Sequence, residues 1–212
     1  LISGGGVFYS DAMDDVSNFA IKHNIPITQT VMGYSTIKRD HSHFLGPIGG
    51  LGGKAANNLA KQTDLAIAVG TKLADFTTGS WANFENPDFS LVSINVSRFD
   101  ANKHLAQSVI GDAKVTLQDL SNALGEWKAP DEWYKKSRDE LKNWNDYVDK
   151  ESGPTNQELP SYAHAVGAIY RNSDPTDIAV TAAGGLVGEV VQIWRPKELN
   201  THETEWGFSC MS

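Results

Sequence analysis

The sequence has a single cysteine, Cys210, in 212 residues. No internal disulfide can form, and a reducing cytoplasm is the simplest compartment. It has no basic run, and 18 Lys and Arg stand against 26 Asp and Glu for a net charge of −8. Nucleic acids and anionic membrane surfaces need a cationic face, so neither is an expected partner. No apolar stretch approaches the ~20 residues that cross a bilayer, and the first residues do not read as a signal peptide. A phosphate-binding G-x-x-x-x-G-K-[ST] run and a G-x-S-x-G nucleophile elbow are both absent. What remains is ordinary for a globular chain: 40% apolar and 21% charged residues.

Short apolar runs alternate with helical patterns, which implies βαβ units and an α/β fold with a mostly parallel sheet flanked by helices. Leu1 to Ser3 reads as a strand entering Gly4-Gly5-Gly6. Ser10 reads as an N-cap with Asp11 and Asp14 in the first turn. Ala12, Val16, Phe19, Ala20 and His23 then follow helical spacing. Further strands are expected at Ile25 to Thr30, Leu65 to Val69, Leu91 to Val96 and Val109-Ile110. The LAIAV run at 65–69 is apolar throughout, as in a strand covered on both faces. Gly33 to Leu51 lacks periodicity and reads as one long loop. Gly52 to Gln62 reads as a small-residue helix closing on Ala55, Ala56, Leu59 and Ala60. Asp112 is expected to cap a helix burying Ala113, Leu117, Leu120 and Leu124.

Composition shifts near Glu126. Trp133, Leu141, Trp144 and Val148 make one stripe of a connecting helix, and Gly153-Pro154 breaks the chain. A second α/β unit begins near Gln157. In it, Ser161 opens a helix with Tyr162, Val166, Ile169 and Tyr170 inward, Ile178 to Thr181 is a strand, and Leu186 to Trp194 is helical. The expected division is 1–128 for a central unit, 129–156 for a helical linker and 157–212 for the start of the second unit. Leu1 already lies inside an apolar run, and Ser212 follows a Gly-aromatic turn, so the chain reads as a piece of a longer polypeptide.

Several signals could carry chemistry. Gly4-Gly5-Gly6 either lets a ligand approach a helix N-terminus or only permits a tight strand-to-helix turn. Gly50 to Ala55 fits G-x-G-x-x-A without a clean strand before it, which favours helix packing over a dinucleotide site. Gly70-Thr71 and Asp75 to Trp81 lie beyond a strand's carboxyl end, where α/β sheets bind ligands, or form a loop capped by its own hydroxyls. His41 and His43 lack the further ligands a metal needs. Cys210 is better read as a small hydrophobe than as a nucleophile. At Ala182-Ala183-Gly184-Gly185-Leu186 a strand ends, glycines bare the backbone N–H groups and a helix starts, an arrangement suited to a diphosphate.

Taken together, AVGTKL (68–73), DFTTGSW (75–81), VIGDAKVTL (109–117), TAAGGL (181–186) and WGFSCM (206–211) resemble the thiamine-diphosphate-dependent enzymes of the acetolactate-synthase-like superfamily. Within it, DFTTGSW, TAAGGL and GFSCM are similar to the cyclic-dione hydrolases of myo-inositol breakdown. The resemblance covers essentially the whole chain. It implies a Rossmann-like central domain followed by the truncated start of the diphosphate-binding domain. It implies thiamine diphosphate and Mg²⁺ as cofactors of the full-length protein. The implied reaction is hydrolytic opening of a cyclic diketone, trihydroxycyclohexane-1,2-dione, to 5-deoxyglucuronate. A cytoplasmic homodimer or homotetramer is also implied. Carried over residue by residue, Gly184, Gly185 and Leu186 match the turn at the diphosphate. Gly207, Phe208, Ser209 and Cys210 match the segment leading to Met211, which matches the apolar prop of the cofactor. No catalytic residue and no metal ligand carries over: the Gly-Asp-Gly…Asn metal motif is missing, and Ser212 stands where the family usually has Gly. This stretch alone is therefore expected to be inactive. Two other readings stand beside this one: another member of the superfamily, of acetolactate-synthase or oxo-acid-decarboxylase type, and a dinucleotide-binding or purely structural assembly domain.

Overall fold

The computed structural model describes residues 1–204. Six short apolar strands pair into one all-parallel sheet: β1 (Ile2–Ser3), β2 (Ile27–Gln29), β3 (Phe44–Pro47), β4 (Leu65–Val69), β5 (Ser90–Asn95) and β6 (Gln107–Ile110). Their spatial order is β3-β2-β1-β4-β5-β6. Two three-strand halves thus wind outwards from the β1–β4 pair, the order of doubly wound Rossmann-type sheets. The expected Rossmann-like parallel sheet is present.

Side-chain alternation along the strands assigns the two faces. In β4, Ile67 and Val69 enter one core with Val7, Val16, Phe19, Ala20, Ile27, Ile94, Ala113 and Leu117. These residues come largely from α1 (Gly5–Tyr9), α2 (Met13–Lys22) and α6 (Ala113–Leu124). Ala66 and Ala68 enter the opposite core with Ile2, Leu45, Ala55, Ala56 and Leu59. There α3 (Lys54–Ala60) presents the small-residue face read from the sequence, and small side chains let it lie close to the sheet. Asp112 caps α6 as expected, accepting from the Lys114 and Val115 amides at 3.0 and 3.3 Å.

Three local expectations are corrected. The stretch 33–51 is not one loop, because it contains β3. That strand is short, lies at the sheet edge and carries Gly46 at φ +95 beside a register shift, and its last residue is Pro47. Glycine and proline erase the strand signal, yet an edge strand tolerates both. Ser10 does not cap α2, whose N-cap is Ala12. Instead the Ser10 hydroxyl donates to Asp112 Oδ2 at 2.6 Å and accepts from the Lys114 amide at 3.1 Å, tying α1 to the start of α6. In α8 (Tyr162–Asn172) Val166 is buried and Tyr170 joins the same cluster, but Tyr162 and Ile169 face solvent. Gly167 sets that rotation: a Cβ there would stand 2.1 Å from Ser152 O, so α8 meets the preceding helix on its Gly167 side.

That preceding helix is α7 (Asp131–Glu151), and its predicted stripe bridges two cores. Trp133, Leu141 and Trp144 cover the α3 side of the sheet, while Trp144 and Val148 also join Val166, Val190, Ile193 and Trp194. The C-terminal unit adds β7 (Ala179–Thr181), α9 (Gly185–Ile193) and β8 (His202–Thr204), with β7 and β8 paired in parallel. Among the described residues, no helix is long and apolar enough to cross a membrane.

At the carboxyl end of β1 and β4, glycines touch backbone to backbone. A Cβ on Gly6 would stand 2.6 Å from Gly70 Cα, and one on Gly4 would stand 2.5 Å from Gly70 O. Gly6→Ala is expected to destabilise the fold by about 1–3 kcal/mol through overpacking. Gly50→Ala, with nothing closer than 3.8 Å, should fall within about 0.5 kcal/mol of the parent. Guanidinium unfolding midpoints of the two variants check this.

Candidate functional site

In a sheet of this order the ligand crevice lies at the carboxyl ends of the two central strands. Here it is filled. The Gly4 amide donates to Val69 O at 2.9 Å and the Gly6 amide to Gly70 O at 2.8 Å. Gly33 closes the other side, where a Cβ would stand 2.5 Å from Ser3 O. The glycines of the Gly4-Gly5-Gly6 run therefore serve packing, and α1 is only five residues long.

The other candidate loops are also occupied by their own chain. After β4, the Thr71 hydroxyl accepts from the Leu73 amide, Thr71 O accepts from Asn95 Nδ2 at 3.0 Å, and Thr78 caps the turn at Trp81. The hydroxyl-capped reading of that loop holds. The Gly50 to Ala55 run follows β3 and opens α3, but its backbone is engaged. Asn57 bonds both the amide and the carbonyl of Gly49, the Gly50 amide donates to Phe76 O at 2.7 Å, and the Trp144 ring lies against Gly53. His41 Nε2 lies 3.2 Å from Ser17 O, and His43 Nε2 lies 3.2 Å from Asn24 Oδ1. Among the described residues no group of three or more His, Cys, Asp or Glu is placed to hold a metal.

The turn after β7 differs. Gly184 is the N-cap of α9 at φ +101, ψ −175, and among the described residues no side chain caps the helix. That backbone region is essentially closed to residues with a Cβ. A Cβ on Gly184 would meet none of the described residues within 4 Å, and one on Gly185 would lie 3.7 Å from the Tyr162 ring. Leu186 is half-exposed beside them. Among the described residues, then, no side chain meets the first N–H groups of this nine-residue helix, the donor set an anionic oxygen needs. Gly207, Phe208, Ser209, Cys210 and Met211 lie outside the described residues.

The far end of α9 is held by the central unit. Tyr34 follows the 3-10 turn Val31–Gly33, and its buried hydroxyl lies 2.6 Å from both Val191 O and Trp194 O. Burial pushes its pKa up, so it remains a donor at any physiological pH. Around it, the Asn200 amide donates to Ser35 O, the Arg39 amide donates to Pro196 O, and the Arg39 guanidinium donates to the Tyr170 hydroxyl. The His202 ring packs on Tyr34 at 4.4 Å, 4% exposed, and among the described residues neither ring nitrogen has a hydrogen-bond partner. Sequence reasoning missed Tyr34, because its partners are backbone carbonyls 157 and 160 positions away.

Comparison with known proteins agrees with this architecture. The family described as thiamine pyrophosphate enzyme, central domain, matches residues 1–120. The chain belongs to that family. Over its whole length it is 36% identical to a protein of Geobacillus thermodenitrificans named 3D-(3,5/4)-trihydroxycyclohexane-1,2-dione hydrolase. Proteins of the same name from Clostridium tetani and Bacillus anthracis are 37% and 34% identical, again over the whole chain. The chain spans 36% of the length of each of these relatives.

The buried histidines give the fold a pH dependence of definite sign. Burial pushes His202 from 6.5 down to about 4. His43 is also pushed down to about 4, by burial first and then by His41 and Arg138. Between about pH 6.5 and 4 the unfolded chain takes up protons that these folded rings refuse. Stability is therefore complete above about pH 6.5 and falls as pH drops towards 4. Comparing unfolding midpoints at pH 7 and pH 5, His202→Phe is expected to show a smaller loss than the parent; an equal loss would remove His202 as a source.

Proposed function

We propose that the chain is the central part of a thiamine-diphosphate-dependent hydrolase that opens the ring of trihydroxycyclohexane-1,2-dione to 5-deoxyglucuronate. The observation that carries this is similarity at 34–37% identity, along the entire chain, to proteins named for that dione. In this reading residues 1–128 are the central domain, 129–156 the helical linker and 157–212 the start of the diphosphate-binding domain. The division is supported by the family match ending at residue 120 and by a hydrophobic cluster of α7, α8 and α9 beyond it.

The turn at Gly184, Gly185 and Leu186 fits the diphosphate: among the described residues no side chain caps the helix and none fills the space before Gly184. Gly207, Phe208, Ser209, Cys210 and Met211 are proposed to complete the cofactor contact. When bound, thiamine diphosphate supplies the carbanion chemistry that cleaves the ring C–C bond. The residues of this chain bind and orient. The α9 amides would hold the diphosphate oxygens, with the Gly-only backbone of Gly184 leaving room for them. The described residues do not fit Mg²⁺, so its ligands are assigned to the rest of the polypeptide, as is the catalytic machinery. Against the dinucleotide alternative stands the close backbone packing of Gly4 and Gly6 on Gly70 between β1 and β4. A homodimer or homotetramer in a reducing cytoplasm accompanies the reading, with the single cysteine as support for the compartment.

Isothermal titration of thiamine diphosphate with Mg²⁺ tests the proposal. The full-length protein is expected to bind and to open the dione, and this chain alone to do neither. Gly184→Ala in the full-length protein is expected to weaken cofactor binding roughly tenfold, since the strained backbone costs about 1–3 kcal/mol. A full-length protein that binds no thiamine diphosphate would sink the reading.

A further inference from the structure

We infer that Tyr34, a residue of the central domain, is a positioning residue for the diphosphate-binding turn: its hydroxyl fixes the carboxyl end of α9, the helix that begins at Gly184-Gly185. The inference rests on the proposed reading of that turn and adds a residue distant from it in sequence and position. A nine-residue α-helix is a rod about 13 Å long. Fixing its last turn and one flank fixes the direction in which its first N–H groups point. Tyr34 does both. Its hydroxyl sits 2.6 Å from each of the Val191 and Trp194 carbonyls. Those groups have no onward helical partner, so the single phenolic proton is shared at the helix end. Its ring packs with Val187 and Val191, and Leu51 joins that cluster.

Tyr34 is itself held. The Thr36 hydroxyl donates to Gly33 O at 2.6 Å, Ser3 Oγ lies 3.0 Å from Thr36 Oγ1, and the Gly33 amide donates to Thr30 Oγ1 at 3.1 Å. Gly33 lies directly on Ser3 and Gly4, where a Cβ would stand 2.5 Å from Ser3 O. The His202 ring covers Tyr34 at 4.4 Å. A continuous path of close contacts therefore runs from β1 through Gly33 and Tyr34 to α9. The central sheet orients the turn without touching the diphosphate.

The test uses the full-length enzyme carrying Tyr34→Phe, which keeps the ring and its packing. A control, Ile94→Val, loosens the central core on the far side of the sheet centre from α9. Titration of thiamine diphosphate with Mg²⁺ is read beside kcat and the KM for the dione at saturating cofactor. The expected result is a cofactor Kd raised roughly tenfold in Tyr34→Phe, with kcat and substrate KM within about twofold of the parent and an unchanged Kd in Ile94→Val. A Kd unchanged in Tyr34→Phe while the parent binds would overturn the inference and leave the proposed function standing. Equal weakening in both variants would overturn it as a general loss of stability. A parent enzyme that binds no thiamine diphosphate would overturn the proposed function, and the inference with it.

Discussion

Direct backbone contact among four glycines is the constraint around which this molecule is arranged. Gly4 and Gly6 at the end of β1 lie on Gly70 at the end of β4, and Gly33 lies on Ser3 and Gly4. No side chain larger than hydrogen fits between them, because the gaps a Cβ would face are 2.5–2.6 Å. The carboxyl edge at the sheet's midpoint, open in dinucleotide-binding relatives of this topology, is thereby sealed. Sealing it has a structural return. The turn after β2 is drawn down onto β1, and Tyr34, the next residue, is presented outward at a fixed height.

The linker helix works in the same manner under α3. Trp144 belongs to the apolar cluster under α3 and to the cluster shared by α8 and α9. Its indole lies against Gly53, where a Cβ would be 2.5 Å from Nε1. A large aromatic ring pressed onto bare backbone leaves little freedom for the angle between α3 and α7. Two attachments, Tyr34 on α9 and Trp144 in α7, hold the C-terminal unit alongside its exposed ion pairs. Lys38 and Glu198 pair at 2.6 Å, but each is about half-exposed, and such pairs contribute little.

Much of the sheet was legible because its central strands are short apolar runs between helical patterns. β4 reads directly as LAIAV, and Asp112 reads directly as the cap of α6. β3 was not legible, because an edge strand can carry the Gly and Pro that erase its pattern. Ser10 was misread because its partner, Asp112, is 102 positions away; a local rule for caps cannot see a side chain recruited from another helix. The inward face of α8 was misread because Gly167 decides it, and a glycine carries no hydrophobic signal. For the candidate site, the strand–Gly-Gly–helix turn was visible in the residues alone, since φ > 0 at a helix start requires glycine. The role of the glycines at the end of β1 was not, since the same residues suit a ligand cradle and a packed crossing equally well.

That last ambiguity is where the physical difference lies. A glycine that serves a ligand leaves open space where its Cβ would be; a glycine that serves packing has an atom already there. Gly184, proposed for the first kind, meets none of the described residues within 4 Å, and Gly4, Gly6, Gly33 and Gly70 are of the second. The two kinds are connected through one hydroxyl. The packed glycines set the height of Tyr34, Tyr34 holds the end of α9, and α9 begins at the open glycine. Backbone amides offered to an anion bind well only when they need not reorganise, and a turn on a short helix cannot supply that rigidity itself. On the proposed reading, the packed end of the central sheet provides it through Tyr34, which gives the central domain a role in the cofactor site.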